Sequence, residues 1–392
     1  MNFDYTEEQT LLDNMVTSFV RDNYDWDTRC NIVKSEEGWK EENWKQFAEL
    51  GLLGVPFEEA YGGLGGKSAD LMIVMEQFGK GLVVEPYLPT VILAGGLISK
   101  LGSEEQKNSI IPEIISGNIR CAFAYAEPQS RFDLNDVKTS AVINGDDYVL
   151  NGFKSVVFGA GMASHLIISA RTEGEQRSES GITLFIVDTK SEGLTLQNYP
   201  TIDEYRASEV IIENLKVSKD NVLGKVNMAY DAIEEIVDIS TIAACSEAVG
   251  ILQVLKDSTT EYCKNRKQFG QSIAKNQVIQ HRLVDMMIEY EQAKSILYMA
   301  VTADLSNSDE RRKAVSAAKA RIGKAIKFVG ESAIQLHGGM GVVDEYMVSH
   351  YFKRATMIGV LFGNTDYHMK RYMTLTQSGI TSSDEAISVS VT

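Results

Sequence analysis

Three long stretches of helix-period sequence, at roughly 228–265, 275–305 and 310–337, fill the C-terminal half of this chain and leave it few ways to fold. Apolar residues recur there three and four apart, which places them on one face of each helix and requires that face to be covered. Helices of this length joined by short connections pack as an antiparallel bundle. A glycine-rich break at 338–341 and two shorter segments follow. The closing sequence TSSDEAISVSVT is polar and lacks helical period, so 379–392 is expected to be a flexible tail.

The first half reads differently. Leu11, Leu12, Met15, Phe19 and Val20 stand at helical spacing, and Thr6 to Gln9 has the form of a capping box. Further helix-period segments cover 39–50, 68–80, 87–101 and 103–117, interrupted by the glycine-rich loop Tyr61–Gly66. The pattern then changes to short apolar runs, Cys121–Tyr125, Ser155–Phe158, Leu166–Ser169 and Ile182–Val187, separated by Gly, Asn and Asp. The expected fold is α+β: an N-terminal helical domain over 1–118, a middle antiparallel β-barrel or sandwich domain over 119–222, and a C-terminal four-helix bundle over 223–378.

Composition narrows the partners. With 392 residues, 44% of them hydrophobic, the chain can bury a large core in more than one packed unit. A net charge of −16 argues against nucleic acid and anionic bilayers, which require clustered Lys and Arg. Cys30, Cys121, Cys245 and Cys263 show no paired spacing, and His281, His337, His350 and His368 share no ligand pattern, so neither disulfides nor a metal is expected. The start MNFDYTEEQT has no basic leader, and no run of 18 apolar residues occurs, which predicts a cytoplasmic protein without membrane insertion.

Five landmarks then appear in order: GVPFEEAYGGLGG at 54–66, AYAEPQSRFD at 124–133, NGFK at 151–154, NRKQFGQSIAKNQ at 265–277 and QLHGGMG at 335–341. Together they resemble the acyl-CoA dehydrogenase family, and EPYLPT at 85–90 with LFGNTDYHM at 361–369 is most similar to small subunits of heteromeric members such as pimeloyl-CoA dehydrogenases. The resemblance implies FAD as cofactor, an acyl-CoA substrate oxidised to the enoyl-CoA, and an electron-transfer flavoprotein as acceptor. It implies assembly with a homologous catalytic subunit in a heterotetramer, or a homotetramer.

By the same resemblance FAD would meet Ala126, Glu127 and the loop to Phe132, the stretch Val156, Val157 and Phe158, and Thr365. Arg266, Phe269, Asn276, Gln277, Gln335, Gly338 and Gly339 would reach a neighbouring subunit's flavin. The chemistry agrees, because a guanidinium makes charge-assisted bonds to pyrophosphate and paired glycines admit phosphate close to backbone N–H groups. A plain helix stop is the competing explanation of the glycine pair. Departures from the family pattern fall at Val156–Phe158, where it has Trp-Ile-Thr or Trp-Ile-Ser, at Phe132 in place of serine, and at Thr241 in place of a CoA-facing arginine.

The largest departure concerns the carboxylate that removes the substrate α proton. Counting forward from Arg354 puts Gly363, Asn364 and Thr365 on the family's Glu-Gly-Thr, and the alternative position on the long helix is Ser240. Neither can act as base. Asp238 points about 200° away from Ser240, Glu247 stands roughly 10 Å further along the helix, and Asp366 is explained by a helix starting after an Asn364 cap. Asp366 is the one long-shot base. The sequence therefore predicts a subunit lacking the catalytic Glu. The alternatives are a base-less flavoprotein lyase of the desulfinase type, acting on a modified acyl-CoA, and a non-catalytic scaffold subunit. For Met286, Met287, Tyr290 and the histidines, core packing or a solvated face is the expected role.

Overall fold

In a computed structural model of the protein, backbone is described for residues 4–388 and side chains as far as 377. The chain divides into two compact units, Met1–Leu71 with Val83–Ser240, and Met72–Leu82 with Thr241–Thr392.

The first unit opens with α1 (Glu7–Asn23), α2 (Trp26–Lys34) and α3 (Glu41–Glu49). The Thr6–Gln9 capping box forms in both directions, Gln9 N–H donating to Thr6 Oγ1 and Thr6 N–H to Gln9 Oε1. Phe19, Trp44 and Phe47 stack beneath these helices, with Phe19 and Phe47 ring centroids 4.8 Å apart and edge-on, a favourable arrangement for buried aromatics. α4 (Ser68–Gly81) starts in this unit and belongs from Met72 on to the second. A π-helical run Leu88–Ala94 then leads into α5 (Gly95–Leu101) and α6 (Glu104–Ile115). Thr90 Oγ1 in that run donates to the carbonyl of Cys121 at 2.8 Å, tying helical layer to sheet.

The sheet comprises β1 (Cys121–Ala124), β2 (Ser140–Asn144), β3 (Asp147–Phe158), β4 (His165–Arg171), β5 (Ile182–Asp188), β6 (Leu194–Pro200), β7 (Arg206–Ser218) and β8 (Val222–Leu223). Its order is β6-β7-β3-β2-β4-β5-β8, with β1 on β4. The expectation of a purely antiparallel unit needs correction, since β1 pairs β4 in parallel, Cys121 opposite His165 through Ala124 opposite Ile168. The β2–β3 hairpin between them returns the chain to its starting direction. Alternate residues face a core that includes Leu150, Val157, Ile168, Phe185 and Val210.

The second unit is helical: α7 (Tyr230–Asn265), which begins in the first unit, then the two-residue hairpin strands β9 (Lys267–Gln268) and β10 (Gln271–Ser272), α8 (Gln277–Val301), α9 (Ser308–His337), α10 (Met347–Val360) and α11 (Thr365–Ser388). α9 is central, packing against α8, α10 and α11. The last turns of α4 cross α7 with almost no separation, because a Cβ at Gly79 would lie 2.0 Å from the Glu247 carbonyl oxygen and one at Gly250 would lie 2.0 Å from that of Glu76. α11 continues to Ser388, into the stretch 379–392 expected as a tail; residues 389–392 lie outside those described. Extending an established helix adds one hydrogen bond per residue fixed, so polar sequence beyond a packed start can still be helical. Among the described residues no helix is long and apolar enough to cross a membrane, and no metal-binding cluster occurs.

Candidate functional site

In the first unit the fold brings the loop after β1 against the end of β3. The N–H of Ser155 donates to the Ala126 carbonyl at 2.9 Å. Lys154, fully buried, donates to Glu127 Oε1 at 2.7 Å, to Ser169 Oγ at 3.0 Å and to the Tyr125 carbonyl at 3.3 Å. Glu127 also accepts from the backbone N–H groups of Lys138 and Thr139, at 2.8 and 3.1 Å, and from Gln129 Nε2. Burial lowers the Lys154 pKa to about 8 against the pull of the carboxylate. Burial also pushes Glu127 upward, but the Lys154 ammonium outweighs it and holds the carboxyl below its usual range, so the charged pair persists at neutral pH. The Glu127 side chain is thus spent on shaping the 126–132 loop. Ala126 lies beside Glu127 and half-buried Phe132 lies further along that loop.

The ladder between β3 and β7 slips between Lys154 and Val157, a bulge that throws Val156 to φ 51° and leaves it 43% exposed while Val157 stays buried. The Tyr199 hydroxyl donates to Glu209 Oε1 at 2.8 Å. Burial, first, and the Glu209 bond raise the Tyr199 pKa to about 12, so the phenol keeps its proton. Sequence reading missed Lys154 as a support; the lysine of NGFK was the available signal.

In the second unit, residues expected at a neighbouring flavin are open. Arg266, Asn276, Gln277, Gln335, Gly338 and Gly339 are exposed, and Phe269 projects fully into solvent from a backbone at φ 51°. Arg266 has no carboxylate partner among the described residues. Nothing lies within 4 Å of a Cβ built on Gly338 or Gly339. The Tyr262 and His337 rings stack at 4.2 Å, which holds the ends of α7 and α9 together and places Arg266 and the glycine pair at one end of the unit. An exposed cation, an unpaired aromatic and unobstructed backbone suit the phosphate and adenine portions of a dinucleotide such as FAD.

The two positions at which the resemblance expects the base, Gly363 and Ser240, are both buried. Gly363 is buried at φ 119°, and a Cβ there would meet Tyr367 Cδ1 at 2.5 Å and His368 Nε2 at 2.7 Å. Ser240 is fully buried and its Oγ has no protein partner. Glu247 is consumed by Arg354, whose Nε and NH2 groups donate to its two oxygens at 2.6 and 2.8 Å. Asp238 is buried and Thr241 likewise. Asn364 Oδ1 accepts the Tyr367 N–H at 2.9 Å and caps α11, with Asp366 exposed in its first turn, as the cap argument predicts. Thr365 is half-buried. Met286 and Tyr290 are core residues and Met287 is exposed. His337 and His350 bond to carbonyls of Ala333 and Asp344.

Comparison with known proteins gives the family. Three family models cover the chain: the acyl-CoA dehydrogenase N-terminal domain over residues 6–118, the middle domain over 122–215 and the C-terminal domain over 230–373. The chain is 31% identical to the probable acyl-CoA dehydrogenase YngJ of Bacillus subtilis, over 93% of this chain and 97% of that protein. It is 30% identical to the caffeyl-CoA reductase-Etf complex subunit CarC of Acetobacterium woodii, over 92% and 96%. Among solved structures it superposes on the Tcur3481-Tcur3483 steroid ACAD G363A variant with a TM-score of 0.85 and 28% identity, covering 96% of this chain and 99% of that one.

Proposed function

We propose, from the premise that this chain belongs to the acyl-CoA dehydrogenase family, that it is the subunit of a heteromeric acyl-CoA dehydrogenase that lacks the catalytic carboxylate. Members of the family are FAD-dependent oxidoreductases. Its domains are taken as 1–118, 119–222 and 223–378, and its place of action as the cytoplasm.

FAD, when bound, supplies the acceptor for the hydride that leaves the β carbon of an acyl-CoA. This chain's part is to bind and orient. The 126–132 loop and the Val156 bulge, braced by Lys154 and Glu127, present one surface. Thr365 at the start of α11 presents another. Arg266, Phe269, Asn276, Gln277, Gln335, Gly338 and Gly339 serve the flavin of a neighbouring subunit. The proton on the substrate α carbon is left to a carboxylate of the partner, because neither Gly363 nor Ser240 carries one. The likeness to a subunit of an Etf complex supports an electron-transfer flavoprotein as the electron carrier.

The observation that carries the reading is the Gly363 turn. Its base is not simply missing, since Tyr367 and His368 fill the space that the first atom of any side chain at 363 would need. A general base contributes on the order of 10²- to 10⁴-fold in rate, so a homo-oligomer of this chain should be a very poor dehydrogenase. Co-expression with a neighbouring dehydrogenase gene, with the tag on this chain alone, should yield a yellow complex of two unlike subunits. A colourless complex would favour the scaffold role, and a fully active homo-oligomer would sink the reading.

A further inference from the structure

α9 carries an ammonium where an apolar residue would be expected. Lys319 is 1% exposed, and its Nζ donates to the carbonyls of Ile358 and Gly363 at 2.8 Å each and of Gly359 at 3.2 Å. It has no carboxylate partner among the described residues. Two of the three acceptors belong to the last turn of α10, whose carbonyls have no partners within the helix. An amine at that end is also favoured by the helix dipole. Buried charges are nonetheless costly, and well-packed apolar replacements of buried ionic groups are often as stable or more so. Stability alone therefore gives poor grounds for a lysine here.

What the lysine holds is a strained turn. Phe362 stands at φ 58° and Gly363 at φ 119°, consecutive left-handed conformations of which the first carries a bulky side chain. Such backbone persists only where its surroundings over-determine it, and it gathers at functional sites. Three sets of contacts do so here. Lys319 takes the carbonyls of 358, 359 and 363. His368 Nε2 lies 3.1 Å from the Phe362 carbonyl and must be the donor there, since a carbonyl can only accept. The third contact comes from α9 again, one turn beyond Lys319 and on the same face: a Cβ on Gly323 would lie 2.4 Å from Thr365 Oγ1. One helix face thus supplies an amine for the near end of the turn and a vacancy for the far end.

We infer that Lys319 is a positioning residue, seconded by Gly323, which clamps the 358–365 turn and so fixes Asn364 and Thr365 toward the bound flavin. The inference rests on the flavin-site reading only for its last clause. Lys319 touches neither cofactor nor substrate and acts through the turn.

The test is hydrogen exchange of the full-length chain and of Lys319→Met, a near-isosteric apolar change, read beside thermal unfolding and FAD titration. Exchange across 357–368 should rise at least about tenfold, from loss of hydrogen bonds to a charged donor, while the rest of α9 exchanges as before. Unchanged exchange in that segment overturns the clamp. If the wild-type chain and its complex hold no FAD, the flavin-site reading fails, and the exchange result still decides the clamp. If they do hold FAD, Lys319→Met should weaken it at least about tenfold, and equal affinity would refute the positioning role. Should Lys319→Met not fold, Gly323→Ala probes the same turn sterically. Its effect should appear with Thr365 present and vanish in the Thr365→Ala background; an equal effect in both backgrounds also overturns the proposal.

Discussion

Installing the family's base should fail in this chain, and the reason lies in backbone. Gly363→Glu places a Cβ on a residue at φ 119°, within 2.5 Å of Tyr367 Cδ1 and 2.7 Å of His368 Nε2. A non-glycine residue in such a conformation costs on the order of 1–3 kcal/mol. Relieving the contact means moving the turn away from Lys319, whose bond to the Gly363 carbonyl is 2.8 Å long, and a hydrogen bond from a charged donor contributes about 1.5–3 kcal/mol. The expected loss is therefore about 2.5–6 kcal/mol. For a cooperative unit of roughly 150–250 residues, each kcal/mol moves the melting temperature by about 2–4 °C, so scanning calorimetry should show a fall of at least about 5 °C. Gly363→Ala carries the same Cβ without the carboxylate and should lose nearly as much. Anaerobic acyl-CoA should not bleach flavin bound to Gly363→Glu. A variant that melts with the wild type and bleaches its flavin would refute the argument, because it would show a turn with room for a base.

Other consequences concern buried charge and exposed surface. Glu127→Gln strands the Lys154 ammonium and should cost about 3–5 kcal/mol at neutral pH. Because the folded Glu127 pKa lies below its unfolded value, the pair's contribution is full above the ordinary carboxylate range and is lost as pH falls through the folded pKa. Urea midpoints of wild type and variant should therefore converge toward strongly acid pH, and a constant gap would count against the pairing. Arg354→Met should cost about 3–5 kcal/mol by leaving Glu247 buried and unpaired, and adding Glu247→Gln should return part of it; strict additivity in the double mutant would contradict a coupled pair. Phe269→Ala, at a side chain wholly in solvent, should change stability by less than about 0.5 kcal/mol yet weaken flavin retention in the complex; loss of fold instead would show that the ring packs within its own chain.

The sequence exposed most of this architecture where local period and tertiary need coincide. Thr6 and Gln9 announced α1, and Asn364 announced α11 through its cap. The long helices were legible because α9 buries Ala318, Ile322, Ala325, Ile326 and Val329 at helical spacing. β7 was missed because its burial alternates only in part, with Glu209, Glu213 and Asn214 interrupting the apolar run. Parallel pairing of β1 with β4 has no local signal, since it depends on where the β2–β3 hairpin returns the chain. That glycine stands at 363, the position the resemblance aligns with the family's base, could be read by counting. That Tyr367 and His368 fill the space could not, because it depends on a left-handed turn at Phe362 and Gly363 that only the packing of α9, α10 and α11 defines. The roles of Lys154, Lys319 and Arg354 were equally hidden, as each pairs with groups 27 to 107 positions away.

The central claim is that this chain shares a flavin site but leaves proton removal to a partner. Its most direct test is the visible spectrum of the chain purified alone and of the chain co-purified with its homologous partner, each before and after anaerobic addition of acyl-CoA. Bleaching of the flavin in the complex, and none in the chain alone at equal flavin content, is the predicted result. Bleaching of the chain alone, at the rate of the complex, would contradict it and require a base within this sequence.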